Sequence, residues 1–306
     1  MTARLTLRVP AGASVRADRF LAEHLEGLSR RRVQEMLERG LIRVDGRRLR
    51  KGDALPPGGE IAVEIAPPAV TDLEPEPDPP LVVLHEDSDV VALDKPAGRP
   101  AHALRPEDRG TVANFLAARY PESRDASEDP LEHGLVHRLD TGTSGVLLVA
   151  RKREGWSELR RQFQAREIDK RYLALARGAI AAPGEIALAI EPHPDSRRRV
   201  KVVAPGRTSA RSRPAVTRYR PLARYGDATL VEVEIPTGVM HQIRAHLAFL
   251  GHPIAGDALY GSKLAAPAPR LMLHAAAIGF RHPRSGERVR IESPMPADFL
   301  EELRAK

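Results

Sequence analysis

The spacing of apolar residues changes several times along the chain, and each change predicts an element. Over residues 15–28, Phe20, Leu21, Leu25 and Leu28 recur at helical spacing. Ser29 then stands where a helix N-cap belongs, ahead of a second helix through Val33, Met36 and Leu37 that Gly40 stops. The period then shortens. LIRVDGRRL reads as two short strands around Asp45-Gly46, a strong hairpin-turn pair, and EIAVEI as one more strand.

Beyond residue 80 the apolar runs are short and strand-like: LVVL (81–84), VVAL (90–93), VLLV (146–149), Lys170 to Leu175, residues 215–235, and RLMLHAAAIGF with a following hairpin in HPRSGERVRI. ATLVEVEI alternates cleanly, which predicts a sheet with one buried face. Helical spacing returns in Thr111 to Tyr120, around Trp156, Leu159 and Phe163, and through Ile243, Leu247 and Leu250, the last ended by Gly251 and Pro253. PESRDASEDP reads as a loop and ADFLEELRAK as a terminal helix. Strands and helices mix without regular alternation, so the class is α+β.

Between the two regions lies APPAVTDLEPEPDPP (66–80), with six prolines and four acids. Such a segment is expected to run as an extended, semi-rigid spacer rather than to pack. The expected division is therefore a module over 1–66, a linker over 67–80 and a larger domain over 81–306.

Composition narrows the function classes. A net charge of +7 carried mainly by Arg attracts polyanions, and nucleic acid is the first partner to consider. Between Ser29 and Lys51, nine basic residues face three acidic ones. Cysteine is absent, which excludes disulfides, thiol nucleophiles and cysteine-ligated metal centres. No apolar run approaches a membrane span and MTARLTLRVPAG lacks a signal-peptide core, so a cytoplasmic protein without membrane association is expected.

Candidate chemistry concentrates in HGLVHRLDTGTSGVLLVAR (133–151). His137, Arg138 and Asp140 stand just before Gly142 and Gly145, where a stabilising core would place apolar residues. In extended backbone, residues two apart share a side, so Arg138 and Asp140 are expected to face one another. A nearby cation favours the ionised carboxylate, suited to act as a nucleophile or electrostatic stabiliser. A turn-closing role for Asp140 is the bland alternative. Asp140-Thr141-Gly142 also resembles an aspartic-protease turn, but that chemistry needs a second such carboxylate, and the chain has no second Asp-Thr-Gly or Asp-Ser-Gly. His133 and His137 have a metal-like spacing, yet Gly134 and the following strand argue against a helix, so structural histidines are the expectation there, as for His241 and His246. Ser144 lacks a nucleophile-elbow frame; Thr143 and Ser144 are expected to hold the turn with hydroxyl-to-backbone bonds.

HRLDTGTSG with its strand, Lys170-Arg171-Tyr172, HQIRAHLAFLGHPIAGDALYG and LMLHA, in this order, resemble the RluA-type pseudouridine synthases over nearly all of residues 81–300. Residues 15–65 resemble the small RNA-binding module named after ribosomal protein S-four. The resemblance implies a mixed, mainly antiparallel sheet with flanking helices beside a small α+β RNA-binding domain. It implies an enzyme that isomerises uridine to pseudouridine in RNA, breaking the ribose bond to the base nitrogen and remaking it to carbon five, without cofactor or metal. Ribosomal RNA is the expected partner and a monomer the expected state. A base within an RNA helix is out of reach, so the target must be flipped out, which costs about a few kcal/mol.

Carried over by position, Asp140 would be the catalytic aspartate, Tyr172 would stack on the uracil or take the proton from carbon five, and Arg244 would pair with Asp140. Arg138 would help hold the space a flipped nucleotide leaves, Leu273 would line the base pocket, and His137, Thr143 and Lys170 would complete the substrate site. Arg30, Arg31, Arg32, Arg47 and Arg48 would meet RNA phosphates. Two positions depart from the family pattern: Val239-Met240 stands for Arg-Thr before HQIR, and Asp94 for Asn before Lys-Pro. The first removes a cation and a hydroxyl near the pocket mouth and bears on substrate grip. The alternative reading is a non-catalytic, ribosome-associated RNA-binding protein on the same scaffold.

Overall fold

The computed structural model describes residues 3–11, 15–25, 30–38, 40–50, 52–65, 72–196, 198–261 and 268–305. They form two compact units, Met1–Asp72 and Leu73–Lys306.

The first unit contains β1 (Ala3–Arg8), β2 (Val15–Arg16), α1 (Ala17–His24), α2 (Arg30–Glu38), β3 (Ile42–Val44), β4 (Arg47–Arg48), β5 (Ala54–Leu55) and β6 (Glu60–Ile65). One sheet has the order β1-β6-β3-β4, while β2 and β5 pair separately. Phe20, Leu21 and Leu25 of the first helical stretch meet Val33, Met36 and Leu37 of the second in one core with Ile42, Ile61 and Val63. Asp45 and Gly46 both have positive φ, 46° and 78°, the backbone that a two-residue hairpin turn demands. Gly40, at φ 72°, ends the basic helix: its N–H reaches Leu37 O, and the Leu41 N–H reaches Met36 O. The first helix starts later than its apolar spacing predicts, because Val15 and Arg16 are drawn into pairing with Leu55 and Ala54. Strand β1 has no counterpart in the sequence reading. It is fixed by antiparallel pairing to β6, far along the chain. The predicted N-cap Ser29 lies outside the described residues.

The second unit contains β7 (Val82–Glu86), β8 (Val90–Lys95), α3 (Val112–Arg119), β9 (Ser144–Ala150), α4 (Arg153–Ala165), β10 (Asp169–Arg177), β11 (Gly184–Ile186), β12 (Ile190–Pro192), β13 (Val200–Val202), β14 (Thr217–Tyr225), β15 (Ala228–Glu234), α5 (Gln242–Phe249), β16 (Leu273–Arg281), β17 (Arg288–Glu292) and α6 (Ala297–Arg304). The main sheet runs β11-β14-β15-β10-β16-β9-β8-β7, with β17 also paired to β16. Its named pairs are antiparallel except β16 with β9. Strand β9 is buried along its whole length, which explains its unbroken apolar run. Alternate residues serve opposite faces. Val146 and Leu148 join Trp156 and Leu159 of α4, whereas Leu147 and Val149 join the cluster that includes α3, α5 and α6.

The parallel step between β9 and β16 needs a glycine. Gly145 has φ 112°, and a Cβ there would collide with the Ala275 carbonyl. Beside it, the Ser144 hydroxyl bonds His274 Nδ1 at 3.0 Å, not the backbone of its own turn as expected.

The proline-rich acidic segment is expected to run extended without packing, and part of it packs. Residues 66–71 lie outside the described residues, but Leu73 is 2% exposed and belongs to the core of the second unit. Asn114 donates to the Glu74 carbonyl at 2.9 Å, the Glu76 N–H donates to Asn114 O at 3.0 Å, and the Glu76 carboxylate accepts the Gly110 N–H at 2.6 Å. One apolar anchor and a set of backbone bonds beside the head of α3 suffice to order a segment whose composition says extended. Within PESRDASEDP, Pro121–Asp125 forms a short 3-10 helix. Among the described residues, no helix is long and apolar enough to cross a membrane.

Candidate active site

The turn that carries Asp140 is held from below. Its own Asp140 carbonyl accepts the Thr143 N–H at 3.0 Å. The Thr141 carbonyl takes the Gly98 N–H at 2.7 Å and the Lys95 ammonium at 3.2 Å. Lys95 is fully buried and also donates to the Pro96 and Arg99 carbonyls. Burial pushes it down to about 7.

The carboxylate of Asp140 looks into a cavity of about 780 Å³. Arg244, in the first turn of α5, crosses to it with Nη1 2.9 Å from Oδ2. The rest of that guanidinium is gripped from behind, Nε and Nη2 donating to the two oxygens of Asp257 at 2.8 and 2.9 Å. Asp257 Oδ1 also accepts the Leu259 and Tyr260 N–H groups. Burial opposes the charged form of Arg244, but the Asp257 and Asp140 carboxylates outweigh it and raise its pKa above the ordinary value. Burial likewise works against the Asp257 carboxylate, and the Arg244 fork with the two N–H groups reverses this and lowers its pKa.

Asp140, Arg138, His137, Thr143, Lys170, Tyr172, Arg244 and Leu273 all line this one cavity. Their arrangement corrects one expectation. Arg138 does not close on Asp140; its Nη1 lies 3.5 Å from His102 Nε2, and Arg244 makes the ion pair instead. Residues 138–140 lie between a bend at 137 and a turn at 141–142, outside the strands. His137 stacks on Phe163, and its Nε2 accepts the Leu148 N–H at 3.0 Å; burial pushes it down to about 3, so the ring is neutral. Lys170 donates to the Thr237 carbonyl at 3.1 Å and is pushed down to about 8 by burial and then by Arg166. The Tyr172 hydroxyl is raised above its ordinary value, chiefly by burial and then by Asp140. In the first unit, Arg47 and Arg48 are exposed on β4, and Arg48 donates to the Glu38 carbonyl. Arg30, Arg31 and Arg32 open α2; their side chains lie outside the described residues.

Both departures from the expected motif have local accommodation. Val239 and Met240 line the cavity, Met240 being 41% exposed, while Gln242 Oε1 receives the Thr237 hydroxyl and the Val239 N–H. Asp94 accepts the Ser293 hydroxyl at 2.9 Å.

Sequence reasoning gave Asp257 and Tyr260 no role and took His241 as structural, although all three stand within HQIRAHLAFLGHPIAGDALYG. His241 heads α5 with φ 55°; its Nε2 stands 3.6 Å from Asp140 Oδ2 and its Nδ1 3.1 Å from the Tyr260 hydroxyl. A weak signal existed: an acid and a tyrosine bracketed by Gly256 and Gly261 in a short loop. Metal binding finds little support among the described residues. His137 spends Nε2 on the backbone, and the cluster Asp87, Asp89 and His282 is occupied by Arg284, Lys152 and backbone N–H groups.

Comparison with known proteins bears on this geometry. A sequence model described as RNA pseudouridylate synthase matches residues 89–249, and one for the S4 domain matches residues 15–61. An uncharacterized RNA pseudouridine synthase of Chloroflexus aurantiacus is 42% identical over 98% of this chain and 93% of its own length. Ribosomal large subunit pseudouridine synthase D of Xylella fastidiosa is 36% identical, covering 97% and 91% of the two chains. Among solved structures, human RNA pseudouridylate synthase domain containing 1 aligns with a TM-score of 0.59 at 26% identity, over 76% of this chain and 98% of that one. The chain belongs to the RNA pseudouridylate synthase family and is an enzyme that isomerises uridine to pseudouridine in RNA.

Proposed function

We propose that the cavity beside Asp140 receives a uridine flipped out of ribosomal RNA of the large subunit, and that Asp140 is the group that reacts with its ribose. The observation that carries this reading is the Asp140 carboxylate, facing a cavity with its outer oxygen held by Arg244, which is fixed in turn by the buried Asp257. Fixing the guanidinium beforehand means that no reorganisation is needed when charge shifts at Asp140. The carboxylate either attacks the ribose at carbon one or removes a proton from the sugar; in both cases the bond to the base nitrogen breaks and the bond to carbon five forms. Tyr172 supplies a ring face for the uracil. Its raised hydroxyl argues against a phenolate taking the proton from carbon five. Leu273 packs the base edge, Arg138 fills the space the flipped nucleotide leaves, and His137, Thr143 and Lys170 complete the wall.

The first unit supplies RNA affinity through Arg30, Arg31, Arg32, Arg47 and Arg48, and the spacer region joins it to the catalytic unit. The enzyme works as a cytoplasmic monomer and needs neither metal nor cofactor. Names of relatives point to ribosomal RNA as the substrate.

The test is pseudouridine mapping on total RNA from cells lacking the protein, complemented with the wild type or with Asp140→Asn. Sites in large-subunit RNA that vanish and return only with the wild type are expected. Sites restored equally by Asp140→Asn would overturn the assignment of Asp140.

A further inference from the structure

Asp140 has a second neighbour whose orientation is set from outside the cavity. Tyr260 Oη accepts the Val200 N–H at 2.8 Å, so the phenol's own hydrogen is not used in that bond. It is free to donate to His241 Nδ1, 3.1 Å away. A donor at Nδ1 leaves the imidazole proton on Nε2, the nitrogen that faces Asp140. The phenol is itself well held. Its ring lies 5.3 Å from the guanidinium carbons of both Arg199 and Arg244, and its N–H is bound by Asp257. His241 also occupies left-handed backbone at the head of α5, φ 55°, a region that histidine, like asparagine, enters more readily than most residues.

We propose that Tyr260 is a positioning residue: its hydroxyl, anchored on β13 through Val200, locks His241 in the tautomer that presents an N–H to Asp140. The proposal rests on the reading of Asp140 given above. Val200 belongs to the basic β12–β13 hairpin, which packs on α5 with Ala245, so the lock is held from a surface outside the catalytic turn.

The lock has a pH signature. His241 faces Asp140 from the catalytic turn, Arg244 from its own helix, Asp257 and Tyr260 from the following loop, and Arg138. Burial is the largest influence and holds its pKa below the ordinary imidazole range. Replacing the phenol by Phe frees Nδ1 to take a proton, so His241 charges at a higher pH. An imidazolium against Asp140 would tie up the reacting carboxylate.

The experiment follows tritium release under single-turnover conditions from a large-subunit ribosomal RNA transcript labelled at uracil carbon five, using the full chain from about pH 5.5 to about pH 8.5. Wild type, Asp140→Asn, Tyr260→Phe, His241→Asn and the Tyr260→Phe/His241→Asn double variant are compared. With Asp140→Asn inactive, Tyr260→Phe should lose activity about tenfold at the acidic end while RNA affinity stays within about twofold, and it should add less than about twofold in the His241→Asn background. Asparagine tolerates left-handed backbone, so His241→Asn keeps the helix head. A Tyr260→Phe profile that matches the wild type, or falls equally at every pH, overturns the proposal and leaves the Asp140 reading intact. An active Asp140→Asn overturns both. Should Tyr260→Phe fail to fold, a His241→Asn enzyme with the wild-type rate and profile overturns the proposal alone.

Discussion

Replacing Asp257 by Asn tests how the site is held together. The substitution keeps the shape and one acceptor oxygen but points an amide donor at a guanidinium. Asp257 has no exposed side-chain surface, and Arg244 is 9% exposed, so water cannot restore the lost partner. Breaking a buried ion pair from one side costs about 3–5 kcal/mol, and because Arg244 keeps Asp140, the lower end of about 3 kcal/mol applies. In a unit of this size that lowers the melting temperature by about 6–12 °C. The folded pKa of Asp257 is lowered, so its contribution is present above the unfolded carboxylate range and disappears as the pH falls through the folded value. The deficit of the variant should therefore shrink in acid. A guanidinium released from Asp257 no longer meets Asp140 in one geometry, and a displacement on the scale of 1 Å costs about a hundredfold in rate. Thermal melts at two pH values and single-turnover tritium release check both halves. A melting temperature within about 2 °C of the wild type, with a rate within about twofold, would refute the claim that Asp257 fixes Arg244.

Further predictions concern other parts of the chain. His137 has its pKa pushed down from 6.5 to about 3, so the wild type loses stability as pH falls through that window; His137→Asn, which keeps an acceptor for Leu148, should lose about 2 kcal/mol less between about pH 6.5 and about pH 5 in denaturant titrations. Equal losses would contradict a buried neutral ring. Gly145→Ala should fail to yield folded protein, because its Cβ meets the Ala275 carbonyl at positive φ; a soluble variant melting like the wild type would show that β9 and β16 can separate at no cost. Arg47→Gln should weaken RNA binding evenly across sequences and reduce the salt slope by about one, measured by filter binding at several salt concentrations, whereas an unchanged slope would remove Arg47 from the RNA contact.

What could be read from the sequence follows from the range of the interactions. The Asp45-Gly46 turn and the Gly40 helix stop are decided within a few residues. Their chemistry is visible in the letters. Strand β1 is decided by β6, and Leu73 by a core assembled from residues throughout the second unit, so neither could be located by local spacing. Arg138 and Asp140 do line one cavity, but Arg138 leans to His102 and the ion pair with Asp140 falls to Arg244, a choice that local backbone does not decide. The partner that Asp140 has, Arg244, lies 104 residues away and was reachable only through a family pattern.

Asp257 stands inside that pattern, in GDALYG, yet received no role, and the reason is physical. Its side chain is fully buried and never meets the cavity, so nothing about it suggests contact with a substrate. Yet burial divides the work between the two carboxylates. Asp257, with no exposed side-chain surface, carries the desolvation cost and immobilises the cation; Asp140, 27% exposed, inherits a guanidinium already in place while keeping an open side toward the cavity. A single carboxylate could not do both. Enough burial to fix Arg244 would close Asp140 to a nucleotide, and enough exposure to meet a nucleotide would leave the guanidinium loose. On the proposed reading, the deeper acid is what allows the shallower one to be both oriented and reactive.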